Sequence, residues 1–199
     1  MASHGPQDLS PDTRERVISA AREVMCDVGL KRARMEDIAA VAGVSRAAVY
    51  YHFHTKGDLV AAIVDDVFLR LTDTVRGALA DGPLDGIIAA TVRFFADQLD
   101  VARLLITEME AATHPMRLLA RHRDALVSTI RHRVSTDIAA GRVRPMDPDV
   151  AAQAIVSLIR IAPVEMICNG AVDLDHLTVQ LTDFLRHALA VPPVPDDRS

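Results

Sequence analysis

The chain repeats its apolar positions at a helical period almost throughout. Residues 11–28 place Val17, Ala21, Val24, Met25 and Val28 at i, i+4, i+7, i+8 and i+11, one apolar stripe. Ser10 stands at the N-cap position, Pro11 at the first helical position and Asp12 in the first turn, and Gly29 ends the run. Two short helices follow, 35–42 and 46 to 53, parted by Gly43, Val44 and Ser45. Thr55 and Asp58 have capping-box spacing and launch a long helix from 56 to 80, which Asp81-Gly82-Pro83 breaks. Beyond the break the pattern predicts helices over 84–99, 101–113, 116–140, 148–168 and 174–190. Gly141 closes the third of these, and Asp147 with Pro148, and then Asp173, open the last two. Residues 191–199, VPPVPDDRS, cannot continue a helix and are expected to form a disordered tail. No convincing strand appears, so the fold class is all-α with about nine helices.

Composition narrows the class without naming a function. Half of the 199 residues are hydrophobic and a quarter are charged, as in a soluble globular protein. Charges interrupt each apolar run before it reaches the roughly 18 to 20 residues a membrane helix needs. The first residues are polar and acidic, unlike a secretory signal, so the expected location is the cytoplasm. Cys26 and Cys168 belong to no metal-binding or redox spacing. His52 and His54 are two apart with no third ligand nearby, so no metal is expected. No nucleotide, dinucleotide, metalloprotease or nucleophile-elbow fingerprint occurs, so neither cofactor nor enzymatic chemistry is predicted. The net charge of −5 at first argues against a nucleic-acid partner. Its distribution reverses that: residues 1–57 hold 8 Lys or Arg against 7 Asp or Glu, and residues 58–199 hold 14 against 20. The acidity belongs to the second part, while Lys31, Arg32, Arg34, Arg46 and Lys56 crowd around the short helix pair.

That pair, MEDIAAVAGVSRAAVYYHFHTKGDLVAAI over residues 35–63, has the form of a helix-turn-helix, with Gly43 suited to the tight turn. Ile38, Ala39, Val44 and Val49 supply a small core. Ser45 can cap the second helix, leaving Arg46, Ala47 and Ala48 on its first turn, where base edges are read. Tyr50, Tyr51 and His52 follow with groups able to reach phosphates, although Tyr50 can also pack beneath the domain, as Phe53 and Leu59 are expected to do.

Gly29, Asp37-Ile38-Ala39, Ala42-Gly43-Val44-Ser45, Tyr50, His52-Phe53, Lys56 and Leu59 fall in register with the N-terminal pattern of the TetR family of transcriptional regulators, which this sequence resembles over residues 11–63. The resemblance implies a helix-turn-helix DNA-binding domain at 1–57 and an effector-binding and dimerisation domain at 58–190. It implies a homodimer on palindromic operator DNA, released by a small molecule. Carried over, its DNA-facing residues here would be Ser45, Arg46, Ala47, Tyr50, Tyr51, His52 and Lys56, with Lys56 touching phosphate, to which the residues themselves add Ala48 on the first turn of the second helix and Arg34 as a cation near the phosphates. Two positions depart from the pattern. Ala47-Ala48 replaces the usual Gly-Thr, and Ala33-Arg34 replaces the usual Thr/Ser cap, so positioning should rest less on hydroxyls and more on charge.

In the second part, Phe94, Phe95, Met109 and Met166 are candidate lining for a largely hydrophobic effector. Glu108, Arg123 and Arg160 fall by helical phase on apolar faces and could form an internal acid and base cluster that meets either a ligand or only itself. Pro163 should kink its helix. Apolar stripes of Ile155, Leu158, Ile159 and Ala162, and of Leu177, Leu181, Phe184, Leu185 and Ala188, could pair with their copies in a four-helix dimer interface or cover their own core. Two other classes compete with a regulator: a small all-α enzyme or carrier, and an architectural DNA-binding protein without effector.

Overall fold

The computed structural model describes residues 10–99, 115–168 and 173–192, and every regular element among them is a helix. These are α1 (Pro11–Val28), α2 (Met35–Ala42), α3 (Arg46–His52), α4 (Lys56–Asp81), α5 (Gly86–Ala96), α6 (Pro115–Ala139), α7 (Pro148–Ile159), α8 (Ile161–Cys168) and α9 (Leu174–Leu189). The predicted helix over 101–113 lies outside the described residues, as do 193–199 of the tail. The described residues form two compact units, 10–69 with 115–118, and 70–99 with 119–168 and 173–192. The division falls inside α4, between 69 and 70, whereas the resemblance implies a boundary between 57 and 58, in the first turn of that helix.

In the first unit α1 packs on α2 and α3, and α2 packs on α3. Val17, Ala21 and Met25 of α1, Ile38 of α2, Val49 of α3, and Leu59 and Ile63 of α4 are almost fully buried. The caps that start these helices are local. The Ser10 hydroxyl accepts from the Thr13 N–H at 3.2 Å, and the Ser45 hydroxyl accepts from the Ala48 N–H at 3.1 Å. Thr55 and Asp58 form a reciprocal box, the Thr55 N–H donating to the Asp58 carboxylate at 2.8 Å and the Asp58 N–H to the Thr55 hydroxyl at 3.1 Å. Arg34 occupies the N-cap of α2 without a side-chain cap bond, as expected of a residue with no acceptor. Gly43 closes α2 at φ +63°, and Arg16 reaches across to donate to the Ala42 carbonyl at 2.6 Å and the Gly43 carbonyl at 3.2 Å.

In the second unit α5 is apolar on most sides and correspondingly buried: Ile87, Ile88, Thr91 and Val92 are all enclosed, and α7, α8 and α9 pack against it. Leu126, Ile130 and Val134 give α6 its buried stripe. The helix predicted over 148–168 is interrupted at Arg160. Pro163 causes this: it has no N–H for the Ile159 carbonyl, and its ring crowds that same carbonyl. Asp85 stands at the N-cap of α5 but makes no cap bond; its carboxylate instead accepts from Arg186 of α9 at 2.7 Å. Arg133 of α6 donates to the carbonyls of Leu79, at the end of α4, and Gly82, and to the carboxylate of Asp137 at 2.9 Å. Arg142 reaches the other Asp137 oxygen, so this buried carboxylate holds a cation on each side.

Candidate nucleic-acid interface

The second helix of the pair, α3, sorts its short sequence cleanly. Ala48, Val49 and Phe53 face inward, at 1%, 0% and 3% exposure, and fix the rotation of the helix against α1 and α2. Arg46, Ala47, Tyr50 and Tyr51 are consequently exposed and share the outer face. Ala48 was expected among the DNA-facing residues. It is core: successive helical residues are about 100° apart, and Ala48 falls on the side of Val49 rather than of Ala47. Ser45 is half-buried with its hydroxyl engaged as a cap. His52 is half-buried, edge-on to Tyr51 at 5.1 Å between centroids, and its Nε2 has no hydrogen-bond partner among the described residues.

The basic residues divide by what holds them. Arg34 is exposed at the start of α2, alongside exposed Lys31 and Arg32 in the preceding loop. The Arg32 Nε donates to the Val28 carbonyl at 3.0 Å. Lys56, at the first position of α4, does not project freely. Its ammonium donates to the carbonyls of Leu30 at 3.0 Å, Lys31 at 3.3 Å and Ala33 at 3.0 Å, gathering the α1–α2 loop beneath it. Three donors meet three acceptors, so the geometry makes Lys56 an organiser of the loop that carries the other cations. Arg46 is paired: its guanidinium lies 2.8 Å from the Glu36 carboxylate of α2 and 5.4 Å above the Tyr50 ring. Neither contact has a local sequence signal, since one spans 23 to 26 residues and the other crosses the turn between helices.

The Thr55 backbone N–H, bonded to the Asp58 carboxylate, holds that group below its ordinary value of 3.8.

The predicted effector residues are less well gathered. Met166 is buried, and Phe94 and Phe95 are half-buried with their rings edge-on at 5.3 Å. Arg123 and Arg160 are exposed, so the internal acid and base cluster expected of them does not form as buried charge. Arg160 sits in the break between α7 and α8, where the phase that aligned it with Val156 and Val164 is lost. Glu108 and Met109 lie outside the described residues. A cleft of about 270 Å³ in this unit is lined by Leu84, Asp85, Arg133, Asp137, Arg142 and Arg186 among others, and of the predicted effector residues that are described, Phe94, Phe95, Arg123, Arg160 and Met166, none borders it. Sequence reasoning passed over Thr91, whose hydroxyl is fully buried in α5 with no hydrogen-bond partner among the described residues. Most of the apolar stripe residues of α7 to α9 cover their own core: Ile155, Ile159, Ala162, Leu181 and Leu185 are buried. Phe184 of the same stripes is exposed at 60%, as are neighbouring Val164 and Val179 at 42% and 61%.

Comparison with known proteins matches residues 17–63 to the family described as bacterial regulatory proteins, tetR family. The HTH-type transcriptional regulator TtgR of Pseudomonas putida is 41% identical over 79 residues, 40% of this chain and 38% of that protein. The chain thus spans about two-fifths of the curated relatives it matches. Among solved structures it is similar to SmeT, the repressor of the Stenotrophomonas maltophilia multidrug efflux pump SmeDEF (TM-score 0.69, 22% identity, 92% of each chain covered). It is also similar to the transcriptional regulator FadR of Bacillus subtilis in complex with stearoyl-CoA (TM-score 0.71, 17% identity, 88% of this chain and 99% of that one). Those likenesses extend the shared fold over nearly the whole chain. Among the described residues no helix is long and apolar enough to cross a membrane.

Proposed function

Because residues 17–63 match the model of the tetR family, we propose that this chain is a member of it and a ligand-responsive transcriptional repressor of the cytoplasm. It binds a palindromic operator as a homodimer and leaves it when a small, largely hydrophobic effector binds. One observation carries the DNA-binding half: α3 exposes Arg46, Ala47, Tyr50 and Tyr51 on one face while Ala48, Val49 and Phe53 lock it from behind. A helix so held can lie in the major groove with its first turn on base edges. Ala47 offers a methyl to thymine, Arg46 offers donors to guanine, and Lys31, Arg32 and Arg34 approach the phosphates from the loop that Lys56 organises. The roles proposed for Tyr50, Tyr51 and His52 are contacts at the groove edge.

The second unit supplies the signal. Phe94, Phe95 and Met166 give an apolar environment, and the Thr91 hydroxyl, without a partner among the described residues, is a polar group that an effector could satisfy. A two-fold molecule matches two half-sites about 34 to 36 Å apart. Phe184, the exposed member of the predicted stripes, with exposed Val164 and Val179 on α8 and α9, forms the surface proposed for self-association, without the buried stripe residues. Since α4 belongs to both units, its displacement changes the spacing of the two α3 helices, provided the effector binds the DNA-incompetent state more tightly.

The test is fluorescence anisotropy with the DNA upstream of the protein's own gene, titrated at several salt concentrations. Tight binding over random DNA with a log–log salt slope of several units, about −0.9 per phosphate contacted, is expected. Binding no tighter than to random DNA, or a nearly flat slope, would refute the reading. Release of that DNA by the organic fraction of a cell extract separates an effector-controlled repressor from an architectural protein.

A further inference from the structure

The DNA-binding reading leaves Glu36 unexplained: it is a carboxylate in the first turn of α2, close to the surface that must meet phosphates. Its position is not incidental. Its oxygen lies 2.8 Å from Nη1 of Arg46, and both side chains are well exposed, at 47% and 63%. On the other side the guanidinium carbon stands 5.4 Å from the centroid of Tyr50, one turn further along α3. The arginine is therefore held from two sides at the first position of α3. A free surface arginine samples many rotamers, whereas recognition of a base edge needs the plane of the guanidinium fixed before contact. Pairing through Nη1 leaves the Nε and Nη2 donors, a parallel edge that matches the O6 and N7 acceptors of guanine.

We propose that Glu36 is a positioning residue for base selection: it aims Arg46 at a guanine in each half-site, and in doing so sacrifices general affinity for DNA. The proposal rests on the DNA-binding reading above and deepens it. Physically, the carboxylate has two opposed effects. It repels the phosphates, which weakens binding to every sequence alike, and it reduces the freedom of Arg46, which favours only the sequence carrying guanine at the right place. A carboxylate placed merely to start α2 would produce the first effect without the second.

The experiment uses the full chain and a pool of random duplex DNA. The wild-type protein is expected to enrich a half-site containing guanine, discriminating against the other bases at that position by about 10- to 100-fold, the range of a bidentate arginine contact. Glu36→Gln keeps the size of the side chain and removes the charge. It should bind random DNA more tightly than wild type while discrimination at that one base falls by about fivefold or more. Arg46→Ala should abolish discrimination there, and adding Glu36→Gln to Arg46→Ala should change it no further. Undiminished discrimination in Glu36→Gln would overturn the proposal. So would a loss that persists in the Arg46→Ala background, because Glu36 would then act through some other group. If wild type enriches no sequence at all, the DNA-binding reading fails first and this inference with it.

Discussion

Lys56 offers the sharpest discrimination between a residue that touches DNA and one that shapes the surface that does. Lys56→Met keeps the aliphatic stem and the helix propensity at the start of α4 while removing the ammonium. That ammonium donates to three loop carbonyls, of Leu30, Lys31 and Ala33. Charge-assisted hydrogen bonds contribute about 1.5 to 3 kcal/mol each when protected from water. Here the site is half-exposed, water can replace the ammonium at each carbonyl, and ordering a lysine costs up to about 2 kcal/mol. The net loss works out at about 1 to 2 kcal/mol. In urea, with a slope of about 2 kcal/mol per molar, the midpoint for the variant should fall by roughly 0.5 to 1 M. DNA affinity should drop modestly because the loop carrying Lys31, Arg32 and Arg34 loosens, but the salt slope should stay near its wild-type value, since no phosphate contact is lost. An unchanged urea midpoint together with a slope reduced by about 0.9 would refute this account and make Lys56 a phosphate ligand.

Three further outcomes follow from the same geometry. Asp137→Asn leaves Arg133 and Arg142 facing a neutral amide at a buried position, and a loss of about 2 to 3 kcal/mol in urea unfolding is expected, below the full cost of a broken buried pair because Arg142 is largely exposed. Gly43→Ala puts a Cβ at φ +63° and 3.2 Å from Arg16 Nη2, and should cost about 1 to 2 kcal/mol from backbone strain alone, with a lower melting temperature and weaker DNA binding. Asp58 titrates below its ordinary value of 3.8 in the folded protein, so its capping contribution is complete above that pH and is lost as pH falls through the lower folded value; the stability gap between wild type and Asp58→Asn should close on acidification, and a gap that widens would contradict the cap.

The features legible in the sequence were those whose cause is local. Ser10, Ser45, Thr55 with Asp58, Asp147 and Asp173 each cap a helix as their spacing predicts, because an N-cap bond joins residues two or three apart. Gly29, Gly43 and Gly141 end helices at positive φ for the same reason. Periodicity also placed the apolar stripe of α1 correctly. It failed where a single residue of phase decides the answer. Ala47 and Ala48 are chemically identical and adjacent, and only the packing of Val49 and Phe53 says which one meets solvent. Arg160 was assigned a face by running one phase through a helix that Pro163 interrupts. Contacts between residues distant in sequence, Lys56 with the loop and Arg133 with the end of α4, have no periodic signature at all.

The charge distribution gains a finer meaning from these contacts. Hydrogen bonds from Arg16 and Lys56 to backbone carbonyls fix the two side chains without cancelling their charge, so both still add positive charge beside the helix pair. The Glu36–Arg46 pair does cancel, at the one basic residue on the outer face of α3. On the proposed reading, long-range attraction therefore comes from residues that read no sequence, and Arg46, proposed to read sequence, contributes least to that attraction. If the protein acts as proposed and must leave random DNA to find one operator, this separation is a gain, since the specificity ratio, rather than the bare affinity, determines occupancy.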